Sequence, residues 1–258
     1  MVINHFQLLG VNVAVTNLSL TTEFIEQKIA AGEKAYICIA PVSTIVDCQN
    51  SEKYKKIINQ AGLTTPDGMP LVWIGRRRGN ENIDRTYGPD LLPYVCQETQ
   101  AKGYRHFFYG GTKETSQKLV KRLQHIFPSL NIVGAYAPDF IDHTTIESAE
   151  ILDLINKARP DILWVGLGSP KQDYWMAAHR DKLNVSVMIG VGAAFDFIAG
   201  TKPQAPRWMR RAGLEWLFRL VAEPRRLWKR YLFGNTQFLY LLFLDLFKPR
   251  KQKDVVKV

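Results

Sequence analysis

The chain is short of several things that would each have named a chemistry. Among its 258 residues there are only three cysteines, Cys38, Cys48 and Cys96, an odd number with no C-x-x-C. That excludes a disulfide scaffold and a cysteine zinc site, and leaves buried free thiols in a reducing compartment as the reading. No D-x-D occurs, and the five histidines (His5, His106, His125, His143, His179) are scattered. A metal held by two carboxylates on one loop is therefore not expected. Neither G-x-G-x-x-G nor a Walker A motif is present, which counts against an ordinary dinucleotide or P-loop enzyme. No basic and apolar leader opens the chain, so no secretory signal is expected. The apolar run Phe238 to Phe247 would span about 15 Å as a helix, against roughly 30 Å of hydrocarbon. It is too short to cross a bilayer and long enough to lie in its interface or pack on the body.

What is present divides the chain in two. Residues 1–200 hold 20 Lys and Arg against 20 Asp and Glu, whereas residues 201–258 hold 14 against 4. The whole net charge of +10 thus sits in the last segment, and an anionic partner is expected for that segment and not for the body. Before Gly200, apolar strand-like runs alternate with helical patterns. A short hairpin or a bulged strand is predicted over 6–15, around Gly10. Strands follow at 35–40, 106–109, 132–136, 162–166 and 185–190. Helices are predicted at 22–31, 44–61, 69–78, 90–102, 113–127, 145–158 and 172–183. Strands apolar on both faces in a βαβα rhythm imply an α/β fold with a mostly parallel sheet covered by helices. The boundary is placed near Gly200, giving a neutral α/β body (1–200) and a basic helical C-terminal appendage (201–258).

Three strand ends carry glycines: Tyr109-Gly110-Gly111-Thr112, Gly166-Leu167-Gly168-Ser169-Pro170 and Gly190-Val191-Gly192. One such turn merely ends a strand. Three on one sheet edge also fit a site where backbone and helix N-termini approach a phosphorylated ligand. Gln172 and Asp196 follow two of these turns, where they are either ordinary helix-start residues or readers of a base or sugar. Asp67, in Thr-Thr-Pro-Asp-Gly, is good turn chemistry and, alternatively, a general base on a rigid turn. If a diphosphate leaves in the reaction, then with no metal expected arginines such as Arg85 and those after residue 206, or helix N-termini, would have to neutralise it. In the appendage, Pro224 is placed to open a helix and Gly234 to end it. On that helix Arg225, Arg226, Lys229 and Arg230 fall on one half, and Leu227, Trp228, Tyr231 and Leu232 on the other. This suits a membrane-interface helix, or one packed on the body with its basic face in water. Lys248 to Val258 read as a solvated tail. A soluble epimerase or dehydrogenase and a nucleic-acid-binding module stay open as rival readings. The missing glycine fingerprint counts against the first, and a neutral body with three glycine turns has no role in the second.

These residues resemble the WecG/TagA/CpsF family of bacterial glycosyltransferases. The resemblance is carried by P-D-G-M-P (Pro66 to Pro70), D-R-T-Y-G-P-D-L (Asp84 to Leu91), Y-G-G, G-L-G-S-P-K-Q-D, G-V-G-A-A-F-D, and the basic aromatic stretch Ala205 to Tyr231. It implies a Rossmann-like body that transfers, with inversion, an N-acetylhexosamine-type sugar from a UDP-sugar to a sugar on a polyprenyl-diphosphate carrier. The enzyme would sit peripherally on the inner face of the bacterial membrane, with no cofactor, no metal and no nucleic acid. Whether it forms homo-oligomers is left open. The resemblance casts Asp67 as base and Arg85 as its catalytic partner. It places Gln172 and Asp196 near the nucleotide, on the edge whose turns give Gly110, Gly111, Gly166, Gly168, Ser169 and Gly192 as further donor-binding candidates, and brings Arg219 and Arg226 to the diphosphate. Many members carry Thr-x-Asn after the strand at 36–40. Here Ile39 and Pro41 stand in those places, with Ser43 or Thr44 as candidate substitutes, which bears on which sugars are used.

Overall fold

The computed structural model describes residues 3–138 and 149–246. The chain opens with an antiparallel hairpin, β1 (His5–Leu8) and β2 (Val11–Ala14). Its loop residues Leu9 and Gly10 both have positive φ, 53° and 78°, the geometry that suits a two-residue hairpin. Helix α1 (Leu18–Ala31) starts at Asn17, whose side chain accepts from Leu20 N–H, and ends at left-handed Gly32. There follow β3 (Ala35–Ala40), α2 (Val42–Asn50), α3 (Glu52–Asn59), β4 (Leu63–Pro66), α4 (Met69–Arg77), α5 (Gly88–Thr99) and β5 (Arg105–Gly110). Next come α6 (Lys113–Ile126), β6 (Asn131–Tyr136), α7 (Ala149–Ala158), β7 (Ile162–Gly166), α8 (Lys171–His179), β8 (Val187–Gly190) and α9 (Ala194–Ala199). After Gly200 the chain forms α10 (Arg207–Arg211), α11 (Glu215–Ala222) and α12 (Pro224–Leu246).

Strands β3 to β8 form one parallel sheet in the order β4-β3-β8-β7-β5-β6. Neighbouring residues on a strand point to opposite faces. Phe107 and Leu163 therefore join one core with Ile45, Tyr54, Ile155 and Met176, while Phe108 and Trp164 join the other with Leu91, Leu119 and Phe195. That is why the central strands β3, β7 and β8 read as unbroken apolar runs. The connections β3→β4, β6→β7 and β7→β8 cross the sheet in one sense, and α2, α3, α7 and α8 pack on one face. The connections β4→β5 and β5→β6 cross in the other, and α5 and α6 pack on the opposite face. Right-handed crossovers require this division. At neighbouring strands β5 and β7 the onward connections diverge, so a crevice opens beyond their carboxyl ends.

Three sequence expectations are corrected. The helix expected over 44–61 is two helices. Ser51 interrupts it in extended conformation (φ −148°, ψ 105°) and caps α3 by accepting from Tyr54 N–H. Leu63–Pro66, read as turn, is edge strand β4, where a proline is tolerated. Gly234 does not end the last helix, which runs on to Leu246. A helical glycine costs only about 1 kcal/mol, and Phe238 beyond it is buried in the core. Gln237 also donates to Asn50 Oδ1 (3.1 Å), and Arg78 pairs with Asp245 (3.5 Å). The expected helix start at Thr145 to Ser148 and the tail Lys248 to Val258 lie outside the described residues. The three cysteines are buried and free.

One buried polar chain contributes to the pH dependence of the body's stability. The Trp164 indole N–H donates to His106 Nδ1 (3.1 Å), and His106 Nε2 meets Thr99 Oγ1 (3.1 Å). An indole only donates, so the ring is the neutral Nε2–H tautomer. Thr99 in turn donates to Val95 O (2.5 Å). Burial pushes the His106 imidazole down to about 4, with Asp161 opposing. An unfolded histidine takes up its proton near pH 6.5. The stability present above that pH is therefore lost as the pH falls towards 4, in total about 3 kcal/mol. Urea unfolding near pH 7.5 and near pH 5 should differ by about 2 kcal/mol through this group. His106→Gln should flatten the slope by that amount.

Candidate active site

Because β3 to β8 run parallel, their carboxyl ends share one edge. Across it stand, in spatial order, Asp67 after β4, Pro41 after β3, Gly192 after β8, Gly168 after β7, Gly111 after β5, and the end of β6. The three glycine turns are side by side in the middle, and Asp67 flanks them.

The turns of β5 and β7 lie backbone to backbone. Gly111 N–H donates to Gly166 O (3.2 Å), and a Cβ on Gly110 would fall 2.7 Å from the Gly166 carbonyl. Gly168 faces open space. Gln172, 2% exposed, ties the other two turns together: its Oε1 accepts from Gly168 N–H (3.1 Å) and Gly192 N–H (2.9 Å). Its Nε2 donates to Ser169 Oγ (3.2 Å). The amide therefore holds the shape of the glycine row. Asp196 accepts from Thr115 Oγ1 (3.2 Å) and Thr201 Oγ1 (3.3 Å) and pairs with Lys202 (3.3 Å). Beneath the row, Asp173 accepts from the Tyr54 hydroxyl (2.7 Å), and burial pushes its carboxyl up to about 6. At the end of β3, Ile39 is in the core and Thr44 is buried beside Tyr54. Ser43 lines a cavity of about 160 Å³ between α2 and α12, together with Asp47, Asn50 and Gln237.

Asp67 N–H donates to Ala40 O (3.2 Å), which fixes the residue to the neighbouring strand end. The Asp84-Arg85-Thr86-Tyr87 segment lies alongside β4 because Thr86 N–H donates to Pro66 O (2.8 Å). Arg85 is thereby brought to Asp67. Its Nε donates to the Asp67 carbonyl (2.5 Å), and its Nη2 lies 3.4 Å from Asp67 Oδ1. The same Nη2 donates to Glu215 Oε2 (2.5 Å), and Glu215 Oε1 accepts from the Tyr87 hydroxyl (2.5 Å). The guanidinium stacks 3.9 Å over the Tyr87 ring. The side chains of Arg85, Asp67 and Glu215 are only 14, 17 and 11% exposed, so charges here act through little water. Burial pushes the Asp67 carboxyl above the usual aspartate range. Arg85 and Arg219 oppose that shift and Glu215 adds to it. Arg219, 5.5 Å over the Phe197 ring, completes the cluster from α11. The side chain of Arg226 lies outside the described structure.

The cluster and the glycine row are linked by α5. A Cβ on its first residue, Gly88, would meet Val191 O at 2.9 Å, so the helix start presses on the β8 turn. From the far side, Arg210 of α10 pairs with Asp90 (2.8 Å). The sequence reading brought Asp67 and Arg85 forward but missed Glu215, Tyr87 and Asp173. Glu215 had a signal: it and Glu223 are the only acidic residues in the basic stretch 205–231.

Among the described residues, no group of His, Cys, Asp or Glu could hold a metal ion, and no helix is long and apolar enough to cross a membrane. Comparison with known proteins finds relatives that share a name, N-acetylglucosaminyldiphosphoundecaprenol N-acetyl-beta-D-mannosaminyltransferase. The protein from Bacillus subtilis (strain 168) is 28% identical over 95% of this chain and 96% of its own. That from Bacillus spizizenii (strain ATCC 23059 / NRRL B-14472 / W23) is 28% identical over 83% of this chain and 79% of its own. That from Staphylococcus aureus (strain MRSA252) is 28% identical over 78% and 75%. Residues 6–252 match the glycosyl transferase WecG/TagA/CpsF family, and with the parallel sheet and its glycine edge in place, the chain belongs to that family.

Proposed function

We propose that the protein is an inverting glycosyltransferase that moves an N-acetylhexosamine-type sugar, N-acetylmannosamine or a near relative, from a UDP-sugar to a sugar carried on a polyprenyl diphosphate. The observation that carries this reading is Asp67. It is a carboxylate raised by burial, fixed on a strand end, flanked by two arginines and set beside a row of glycine turns. In the reaction, an acceptor hydroxyl gives its proton to Asp67 and its oxygen bonds to the anomeric carbon of the donor. The bond from that carbon to the diphosphate oxygen breaks on the opposite face, and UDP leaves with the electron pair. Arginines of the appendage, Arg219 among them, offset the charge that develops on the diphosphate. Gly168 leaves room for the donor to approach the backbone, and Gln172 keeps the Gly168 and Gly192 turns in register. The names of the relatives support the acceptor class.

In this reading residues 1–200 hold the donor and the base, and residues 201–258 dock on the inner face of the cell membrane and complete the site. Trp208, Trp228, Leu232 and Phe243 are exposed, as are Arg207, Arg211, Arg225 and Lys229. Aromatic and basic side chains exposed on one segment suit an anionic interface. Leu227, expected on the lipid-facing half, is instead buried, so it anchors α12 and leaves Trp228 and Leu232 outward.

The test is UDP release from a panel of UDP-N-acetylhexosamines and the matching uronic acids, with the acceptor presented in vesicles containing anionic lipid. Release with one donor only when acceptor is present, weakened by high salt, is the expected result. Release without acceptor, or turnover requiring NAD(H), would sink the proposal.

A further inference from the structure

Glu215 is the one acidic side chain that the segment after Gly200 places against both Arg85 and Tyr87. It is 8% exposed, and a carboxylate is costly to bury unless its partners are good. Here each oxygen has one: Arg85 Nη2 on Oε2 and the Tyr87 hydroxyl on Oε1, both at 2.5 Å. The partners come from a single tripeptide of the body, Arg85-Thr86-Tyr87, and the carboxylate from α11. Without Glu215, Arg85 would keep Asp67 as its one carboxylate in the cluster, and the ion pair that joins them at 3.4 Å would no longer be shared with a second carboxylate.

We propose that Glu215 is a positioning residue for the transfer: by sharing Arg85 with Asp67 it keeps the base available, and it makes that availability depend on α11 being seated. This rests on Asp67 being the base. The charged and titratable groups facing Asp67 are Arg85, Arg219 and Glu215, with Tyr87 behind them. Of these, Glu215 is the one whose charge strengthens Asp67 as a proton acceptor. The role differs from that of an arginine reaching for the diphosphate, because Glu215 acts on the acceptor's proton and repels a donor phosphate. Expected losses therefore fall on kcat and not on donor KM.

The experiment compares the full-length chain with Glu215→Gln and Glu215→Asp. The Asp67 carboxyl is followed by carbon NMR through a pH titration, beside kcat and KM against pH. Glutamine keeps the shape and still accepts from Tyr87 while removing the charge. In Glu215→Gln the Asp67 midpoint should fall by about one unit. The acid limb of kcat should move down with it, and kcat above both midpoints should fall about tenfold with donor KM within about twofold. Glu215→Asp keeps the charge and should restore the midpoint to within a few tenths of a unit of the wild type. An Asp67 midpoint that is the same in wild type and Glu215→Gln overturns the proposal. So does a loss confined to donor KM. The NMR titration needs no turnover. If no donor and acceptor pair reacts, the transferase reading fails, while the midpoint still decides whether Glu215 sets the state of Asp67. Should Glu215→Gln not fold, the Tyr87→Phe chain keeps the charge but removes one of its two holds. A midpoint unchanged there while kcat is also unchanged overturns the proposal equally.

Discussion

Replacing Asp67 by asparagine should lower kcat for transfer about a thousandfold, the middle of the range for loss of a positioned general base. Donor affinity should change little. The substitution is nearly isosteric, and the contacts that fix residue 67 are made by its backbone: its N–H to Ala40 O, and its carbonyl to Arg85 Nε. Arg85 also keeps Glu215 as a partner. The fold should therefore survive, and removing a carboxylate that burial already pushes up relieves a desolvation cost. Steady-state rates with saturating acceptor check the first point and thermal unfolding the second. The wild-type profile should carry the matching signature. Activity depends on the ionised form, so it should fall on the acid side at a higher pH than an ordinary aspartate would give, and the asparagine variant should lack that limb. A variant that releases UDP at the wild-type rate removes Asp67 from the chemistry.

Gly110→Ala should destabilise the body by about 4 kcal/mol, the sum of a strained backbone and an overpacked contact. Its φ is +123°, and an added Cβ would lie 2.7 Å from the carbonyl of Gly166. Both obstacles are backbone on adjacent strands, so no side chain can swing aside. Gly32→Ala is the control. That glycine also has positive φ (65°) but nothing within 4 Å of the added carbon, and its cost should be about 1 to 2 kcal/mol. Urea unfolding of the two variants separates conformational strain from close approach. Equal losses would mean that the β5 and β7 turns are not pressed together as described.

Much of this architecture can be read from the sequence for a physical reason. Parallel strands buried on both faces are apolar at nearly every position, so 35–40, 106–109 and 162–166 stand out, and glycines mark the ends of the last two. Strand β4 does not stand out because it has four residues, two of them threonine and one proline, and it borders Pro-Asp-Gly. Its identity comes from pairing with β3. Ser51 is ambiguous in the same way, since a serine reads as helix interior or cap until its φ is known. In the site, Asp67 and Arg85 were within reach of sequence reasoning because each sits in a compact local pattern. Glu215 was not, because its partners are 128 and 130 positions away. Gln172 was noticed for its place, but its work of binding two turns together is visible only once β7 and β8 are neighbours.

The order of the strands also acts as a ruler. Neighbouring strands lie about 4.8 Å apart, and β3 alone separates β4, which carries Asp67, from β8, which carries the first glycine turn. On the proposed reaction the diphosphate lies over the glycines and the attacked carbon lies near the base, so the interval spans about 10 Å and the transferred sugar ring lies over the end of β3. Of the two places where this chain lacks the polar pair of its resemblance, Ile39 is in the core and Pro41 stands at that strand end. Substitutions there should change which sugar is accepted without changing the nucleotide, because the sheet measures the two at separate marks.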